Sequence, residues 1–323
     1  MPMTSQTTSL LWPADLLRAG DLTRGTLDEL LALAARMQGD RGAWLSTFAG
    51  DALACLYEVP TTRAGLSAQA AAHRLGLSAI TVRPGDLRRG GGERLEDVAE
   101  ILSGWSAAIV VRDLPDLTLQ TLARVARVPV VNAVSPEHHP CQAITDLLTL
   151  RERRGNLDGL VLAHLGMADN VRRSIMQAGA MAGMEIRVAA PPDLAPDPED
   201  VEAAQLLGDL HGGSVRVFAD AREAVDGADA VSTSPWPEAD DDARERLHER
   251  LRPYRVSVAL LHRAKHDAVF LHSLPVHRGE EVADAVVDGP HSVVWREAAN
   301  RVPAEQAVLY ALINAARAEE RHG

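Results

Sequence analysis

The chain has 323 residues, 46% hydrophobic and 3% aromatic, with 33 basic against 45 acidic side chains for a net charge of −12. That length suits two α/β domains with cores of Ala, Val and Leu, and an acidic chain without a basic stripe argues against nucleic acid or an anionic membrane as partner. Two cysteines, Cys55 and Cys141, are too few for a disulfide framework, and no apolar run reaches the ~18 residues of a membrane span.

In chain order, Thr26-Leu27-Asp28-Glu29 has the form of a capping box, which Leu27, Leu30, Leu31 and Leu33 continue as an amphipathic helix. Ala52–Val59 reads as a buried strand, Thr61–Leu75 as a helix closed by Gly76, and Ala79–Val82 as a short strand. Arg83–Gly92 has the composition of a loop. Helix Glu93–Leu102, strand Ala107–Arg112, helix Leu117–Arg127 and strand Val128–Val131 follow, then a long helix from about Pro140 to Arg153. A second alternation runs through strand Gly159–Leu165, helix Asn170–Ala182, strand Ile186–Ala189, a Pro-rich turn at Pro191–Pro198 and helix Glu199–Leu210. Strands Val215–Ala219, Ala230–Thr233 and Ala268–His272 and a helical tail Glu305–Glu320 complete it.

Strands separated by helices of this length predict parallel sheets covered on both faces. The expected class is therefore α/β, with two doubly wound parallel-sheet domains joined by a helix. The first spans 1–150, the second 151–302, and a helix of about 303–323 packs back on the first. Ligands belong at the strand C-terminal ends between them. No charged-then-apolar leader opens the chain, and a soluble, cytoplasmic protein is expected.

Four segments carry candidate chemistry. Thr61-Thr62-Arg63 enters a helix, where hydroxyls, free N–H groups and a guanidinium make either an anion site or an ordinary cap with a solvated arginine. Arg112 ends an apolar strand, as a ligand contact or an interdomain salt bridge. His139 and Gln142, in His138-His139-Pro140-Cys141-Gln142, sit at a strand-to-helix junction within reach of a small polar ligand, or simply start a helix. His272-Ser273-Leu274-Pro275 is a rigid turn after a strand, able to aim the Ser273 hydroxyl and the Leu274 carbonyl into a crevice. Asn170 opens a helix and reads as a cap. His164, His211 and His262 lack metal-ligand spacing, and neither a Gly-x-Gly-x-x-Gly turn nor a P-loop is present.

Together these segments resemble the aspartate and ornithine carbamoyltransferase family, its ornithine branch more closely, in the same order along nearly the whole chain. The resemblance implies that Thr61, Thr62, Arg63 and Arg112 bind the phosphate of carbamoyl phosphate. It implies that His139, Gln142, Ser273 and Leu274 hold the carbamoyl group, and that Arg301, in Ala299-Asn300-Arg301, faces the site. It also implies a homotrimer in which the Asp86–Gly92 loop lends Arg88 or Arg89 to a neighbour, and no metal or organic cofactor. The phosphate segment runs into Ala64-Gly65 where the family has Thr-Arg, and Ser273 stands for cysteine. Ser234, in Thr233-Ser234-Pro235-Trp236, stands for an aspartate, and the Ser-Met-Gly signature is missing. The expectation is a carbamoyltransferase whose acceptor, met by Asn170, Ser234 and Trp236, is not ornithine. The alternatives are an authentic ornithine carbamoyltransferase and a non-catalytic binding paralogue.

Overall fold

The computed structural model describes residues 10–57, 63–83, 94–167, 169–237 and 241–321. The first sheet consists of β1 (Ala52–Tyr57), β2 (Ser78–Val82), β3 (Ala108–Arg112) and β4 (Val130–Val134), all parallel in the order β2-β1-β3-β4. Around it lie α1 (Arg24–Gly39), α2 (Arg63–Arg74), α3 (Leu95–Trp105) and α4 (Asp116–Val125), and α5 (Pro140–Arg154) leads out of it. The second sheet consists of β5 (Val161–Leu165), β6 (Glu185–Ala189), β7 (Ser214–Phe218), β8 (Ala230–Thr233) and β9 (Val269–His272), parallel in the order β7-β6-β5-β8-β9. Its helices are α6 (Asn170–Met181), α7 (Pro198–Asp209), α8 (Ala221–Val225), α9 (Asp241–Leu251), α10 (Val258–Leu261) and α11 (Asp284–Val287). Finally α12 (Val294–Glu320) returns to pack on α1, α2 and α5.

Alternate strand residues face different apolar layers, as the two-residue period of a strand requires. Leu53, Cys55, Val110 and Val131 of the first sheet join Leu162, Ile186 and Leu271 of the second in one central cluster built around α1, α5, α6 and α12. Ala54, Leu56, Ile109 and Val111 turn instead toward α3 and α4. Ala163, Leu165, Val231 and Phe270 turn toward α8, α10 and α11. One helical layer is thus shared by both sheets. In each sheet the strand order reverses beside the first strand, between β1 and β3 and between β5 and β8. Crevices at such reversals are where open parallel sheets bind ligands.

Several local expectations shift. The capping box lies three residues earlier: Thr23 Oγ1 accepts from the Thr26 N–H at 3.2 Å, while Thr26 Oγ1 accepts from the Thr23 N–H at 2.9 Å. A buried threonine hydroxyl takes the place of the expected glutamate. Strand β4 begins at Val130, two residues late, because Pro129 has no N–H to give, and its edge is extended by Leu16 across from Val130 and Asn132. The last helix starts eleven residues earlier than its expected Glu305 and contains Pro303. A proline costs an interior helix one hydrogen bond, but burial of this helix from Val294 to Ile313 outweighs that loss. Gly76 does follow α2, at φ 81°, where a Cβ would lie 2.4 Å from the Leu45 carbonyl oxygen. Helices α8 to α11 were not anticipated; three of them are five residues or shorter, too brief to show a helical period.

Candidate active site

Helices α5 and α12 lie side by side, and their facing polar residues form the centre of the site. Arg301 donates from Nη1 to Gln142 Oε1 at 3.1 Å, from Nη2 to His139 Nε2 at 3.2 Å, and from Nε to Glu305 Oε1 at 3.0 Å. Since a guanidinium only donates, His139 must accept at Nε2 and carry its proton on Nδ1. Burial, reinforced by the positive charges of Arg301 and Arg112, holds the His139 pKa well below the usual histidine value. The imidazole is therefore neutral, with Nδ1–H as its remaining donor.

Gln142 is fixed equally firmly. Its Nε2 donates to Asp146 Oδ1 at 2.7 Å and to Glu297 Oε1 at 2.8 Å, which leaves Oε1 for Arg301 and for a ligand. Burial pushes Asp146 up to about 7. Burial and the neighbouring Asp146 charge together push Glu297 well above the carboxylate range. Two carboxyl groups this close do not both ionise in a dry site, so they share a proton. Glu297 Oε2 also accepts the His272 N–H at 2.8 Å, tying α12 to the end of β9. After β9 the chain turns at Leu274, at φ 57° and followed by a cis bond to Pro275, with the Leu274 N–H donating to His272 Nδ1 at 2.9 Å.

Arg63, Gln142, Ser273, Leu274, Glu297 and Arg301 line a single cavity of about 320 Å³. Arg63 enters it from the first turn of α2; burial and the nearby charges of Arg301 and Arg112 draw its pKa down. Three guanidinium groups so close together attract an anion. Arg112 lies opposite Tyr57 in the sheet register and pairs locally with Asp113, Nε to Oδ2 at 2.7 Å, and among the described residues it makes no interdomain salt bridge. Thr61, Thr62, Arg88 and Arg89 lie outside the described residues.

The acceptor candidates stand apart from that cavity, at the reversal point of the second sheet. Ser234 and Trp236 follow β8 and are buried, yet Ser234 Oγ and Trp236 Nε1 have no hydrogen-bond partner among the described residues. His164 of the adjacent β5 pairs through Nδ1 with Ser232 Oγ at 2.9 Å and leaves Nε2 without a partner among them. Burial lowers the His164 pKa to about 4. Asn170 is not the cap of α6. Asp169 is, accepting the Arg172 N–H at 2.7 Å, while Asn170 Nδ2 donates to the Ser135 carbonyl at 2.6 Å across the domain boundary.

Sequence reasoning missed Asp146, Glu297 and Glu305. Their spacing held the signal, for Asp146 is four residues after Gln142, and Glu297 and Glu305 are four before and four after Arg301. Four residues along a helix is one face.

Residues 14–152 match the carbamoyl-phosphate binding domain of the aspartate/ornithine carbamoyltransferases, and residues 158–312 match their aspartate/ornithine binding domain. The chain is 40% identical over 297 residues to an ornithine carbamoyltransferase of Acidothermus cellulolyticus, covering 92% of this chain and 95% of that one. It is also 40% identical over 304 residues to that of Mycobacterium ulcerans, covering 93% and 98%. Its fold superposes on the ornithine carbamoyltransferase of Pyrococcus furiosus with a TM-score of 0.87 at 36% identity, over 91% and 95% of the two chains. The chain belongs to the aspartate/ornithine carbamoyltransferase family, and it is an enzyme, a carbamoyltransferase. The names of these relatives lend no support to an acceptor other than ornithine. The expectation of another acceptor rested on Ser234 in place of a carboxylate and on the missing Ser-Met-Gly signature, local changes in a pocket formed by several elements. Among the described residues, no helix is long and apolar enough to cross a membrane.

Proposed function

We propose that the enzyme transfers the carbamoyl group of carbamoyl phosphate to the side-chain amine of ornithine, giving citrulline and phosphate. What chiefly supports this is 40% identity across more than nine-tenths of both chains to enzymes of that name. In the reaction the neutral amine nitrogen attacks the carbamoyl carbon, a C–N bond forms, the C–O bond to phosphate breaks, and the proton lost by the nitrogen is taken up by the departing phosphate. Arg63 and Arg112 hold the phosphate and take up charge as it leaves, with Thr61 and Thr62 at the same helix entry. Neutral His139 donates to the carbamoyl oxygen. Gln142 Oε1 and the Leu274 carbonyl accept from the carbamoyl NH₂, beside Ser273. Arg301 keeps His139 and Gln142 in register.

Donors already fixed before the substrate arrives need no reorganisation as charge develops, and in a dry cleft they count for more than in water. Holding both reactants at attack distance supplies much of the rest. Residues 1–150 bind carbamoyl phosphate and 151–302 the amino acid, through Asn170, Ser234 and Trp236. The active assembly is a homotrimer with Arg88 or Arg89 entering a neighbour's site. Competition assays with ornithine and a panel of primary amines, products read by mass spectrometry, test the acceptor. Citrulline should dominate. Another carbamoylated amine formed tenfold faster overturns ornithine but keeps the donor half, and sedimentation as a monomer overturns the trimer.

A further inference from the structure

Between α9 and the turn after β9, four side chains converge outside the catalytic cavity. His277 Nδ1 lies 3.6 Å from Glu281 Oε2 and 3.8 Å from Glu280 Oε2, and His248 Nε2 lies 3.8 Å from that same Glu280 oxygen. All four atoms are buried, and none has a hydrogen-bond partner among the described residues. The side chain of Glu281 is fully buried, so its oxygen is committed to this cluster. An acid with one oxygen left unpartnered in the interior is costly unless a cation or proton meets it.

The outer oxygens of both acids are occupied. Glu280 Oε1 pairs with Arg244, and Glu281 Oε1 accepts from His272 Nε2–H at 3.2 Å and from the His277 N–H. Each carboxylate is thereby oriented with its free oxygen inward, as outer hydrogen bonds orient metal ligands. The turn that gathers them is tight: the Gly279 N–H donates to the Val282 carbonyl and the Glu280 N–H to the His277 carbonyl. Gly279 takes φ 89°, a value that favours glycine.

We propose that His248, His277, Glu280 and Glu281 form a site for one divalent transition metal ion, zinc being the best fit. Two imidazole nitrogens and two carboxylate oxygens suit zinc, and they do not suit calcium or magnesium, which take oxygen ligands. Bonds of about 2.0–2.2 Å in a tetrahedron put ligand atoms roughly 3.3–3.6 Å apart. The ligand atoms of His277, Glu280 and Glu281 lie within 4.8 Å of one another and need only a modest contraction, while His248, 3.8 Å from the Glu280 oxygen, must move further in to complete the tetrahedron. The ion joins helix α9 to the β9 turn. It sits behind Trp236, whose ring meets that of His248 edge-on at 5.1 Å, and Glu281 links it to His272 and the Leu274 turn. Its place is structural, bracing the acceptor segment, and no step of carbamoyl transfer passes through it.

The test uses the full chain, stripped with a chelator and dialysed against zinc chloride, with bound metal counted by mass spectrometry. Cobalt(II) substitution, read by its visible d–d absorption, reports the geometry. The wild type should take up one equivalent of zinc and give a tetrahedral cobalt spectrum, and zinc should raise its melting temperature. His277→Gln, His248→Gln and Glu280→Gln should each weaken zinc binding by more than the roughly 10- to 100-fold that loss of an outer hydrogen bond costs. Glu137→Gln, in a separate cluster with Asp116 and His138, should leave uptake unchanged. The proposal is overturned if the wild type takes up no stoichiometric zinc, if its cobalt spectrum is octahedral, or if the folded variants bind as the wild type does.

Discussion

The donor and acceptor halves of the cleft treat their buried polar atoms in opposite ways. Around Arg301, all three guanidinium nitrogens, both atoms of the Gln142 amide and His139 Nε2 are engaged, leaving chiefly His139 Nδ1 and Glu305 Oε2 over. Around β5 and β8, Ser234 Oγ, Trp236 Nε1 and His164 Nε2 have no partner among the described residues. An unsatisfied buried group costs about 1–3 kcal/mol. The first half thus spends its hydrogen bonds on setting its own geometry, and the second leaves polar atoms over, which under the function proposed above would meet the acceptor. Substitutions within the Arg301 network should then cost rate and stability together, and removal of an unpartnered polar atom beside β8 should cost substrate affinity without loss of stability.

The largest effect is expected at the hub. Arg301→Met strips the partners from His139 and Gln142 and leaves the Glu305 carboxyl buried without its cation. Steady-state kinetics should show kcat/KM for carbamoyl phosphate falling by about 10³-fold, the upper range for losing a preorganised donor. Urea unfolding should show a loss of about 3 kcal/mol, as for a broken buried pair. Activity within tenfold of wild type would break the comparison on its donor side. Next is Arg63→Ala, which should lower kcat/KM by roughly 100-fold while leaving the urea midpoint in place, because this arginine is exposed and no ion pair holds it among the described residues. A shifted midpoint would mean that Arg63 supports the fold instead.

On the acceptor side, His164 gives a pH test. Its pKa is about 4 in the folded protein, against 6.5 for a free histidine. Below pH 6.5 the unfolded chain binds a proton that the folded one refuses, so this residue's contribution to stability is whole above pH 6.5 and is lost as the pH falls toward 4. Relative to His164→Gln, the wild type should lose on the order of 3 kcal/mol between pH 6.5 and 4, from the shift times 1.36 kcal/mol per unit. A pH-independent difference between the two proteins would show that the imidazole ionises freely when folded. The smallest effect is expected for Ser234→Ala. It removes a hydroxyl that has no partner among the described residues, so stability should hold or rise by about 1 kcal/mol while KM for the acceptor increases. A destabilised variant with unchanged KM would make Ser234 a structural residue.

Much of this was legible in the chain. The alternation of apolar runs with helical segments made both sheets legible, although edge strand β2 is largely exposed, and Gln142, His272, Ser273 and Leu274 line one cavity, to which His139 is joined through Arg301. Other features were hidden for definite reasons. The pairing of Gln142 with Glu297 spans 155 positions, and no local period reports it. The early start of α12 was masked by Pro303, where a local rule ends a helix and only tertiary packing sustains it. Asp169 rather than Asn170 caps α6, a choice between two adjacent capping residues that composition does not settle. The expectation of a non-ornithine acceptor rested on two local departures, the lost charge at Ser234 and the missing Ser-Met-Gly signature. The resemblance to the ornithine branch along nearly the whole chain kept ornithine as the alternative, and the relatives' names favour that alternative.

The most direct measurement is citrulline formation by the full chain from ¹³C-labelled carbamoyl phosphate and ornithine, followed by NMR alongside phosphate release. The account predicts labelled citrulline and phosphate in equal amounts, with kcat/KM for ornithine of about 10⁴ M⁻¹s⁻¹ or more, within the ordinary range for enzymes. Carbamoyl phosphate decaying only at its rate in buffer, with no labelled citrulline, would contradict it.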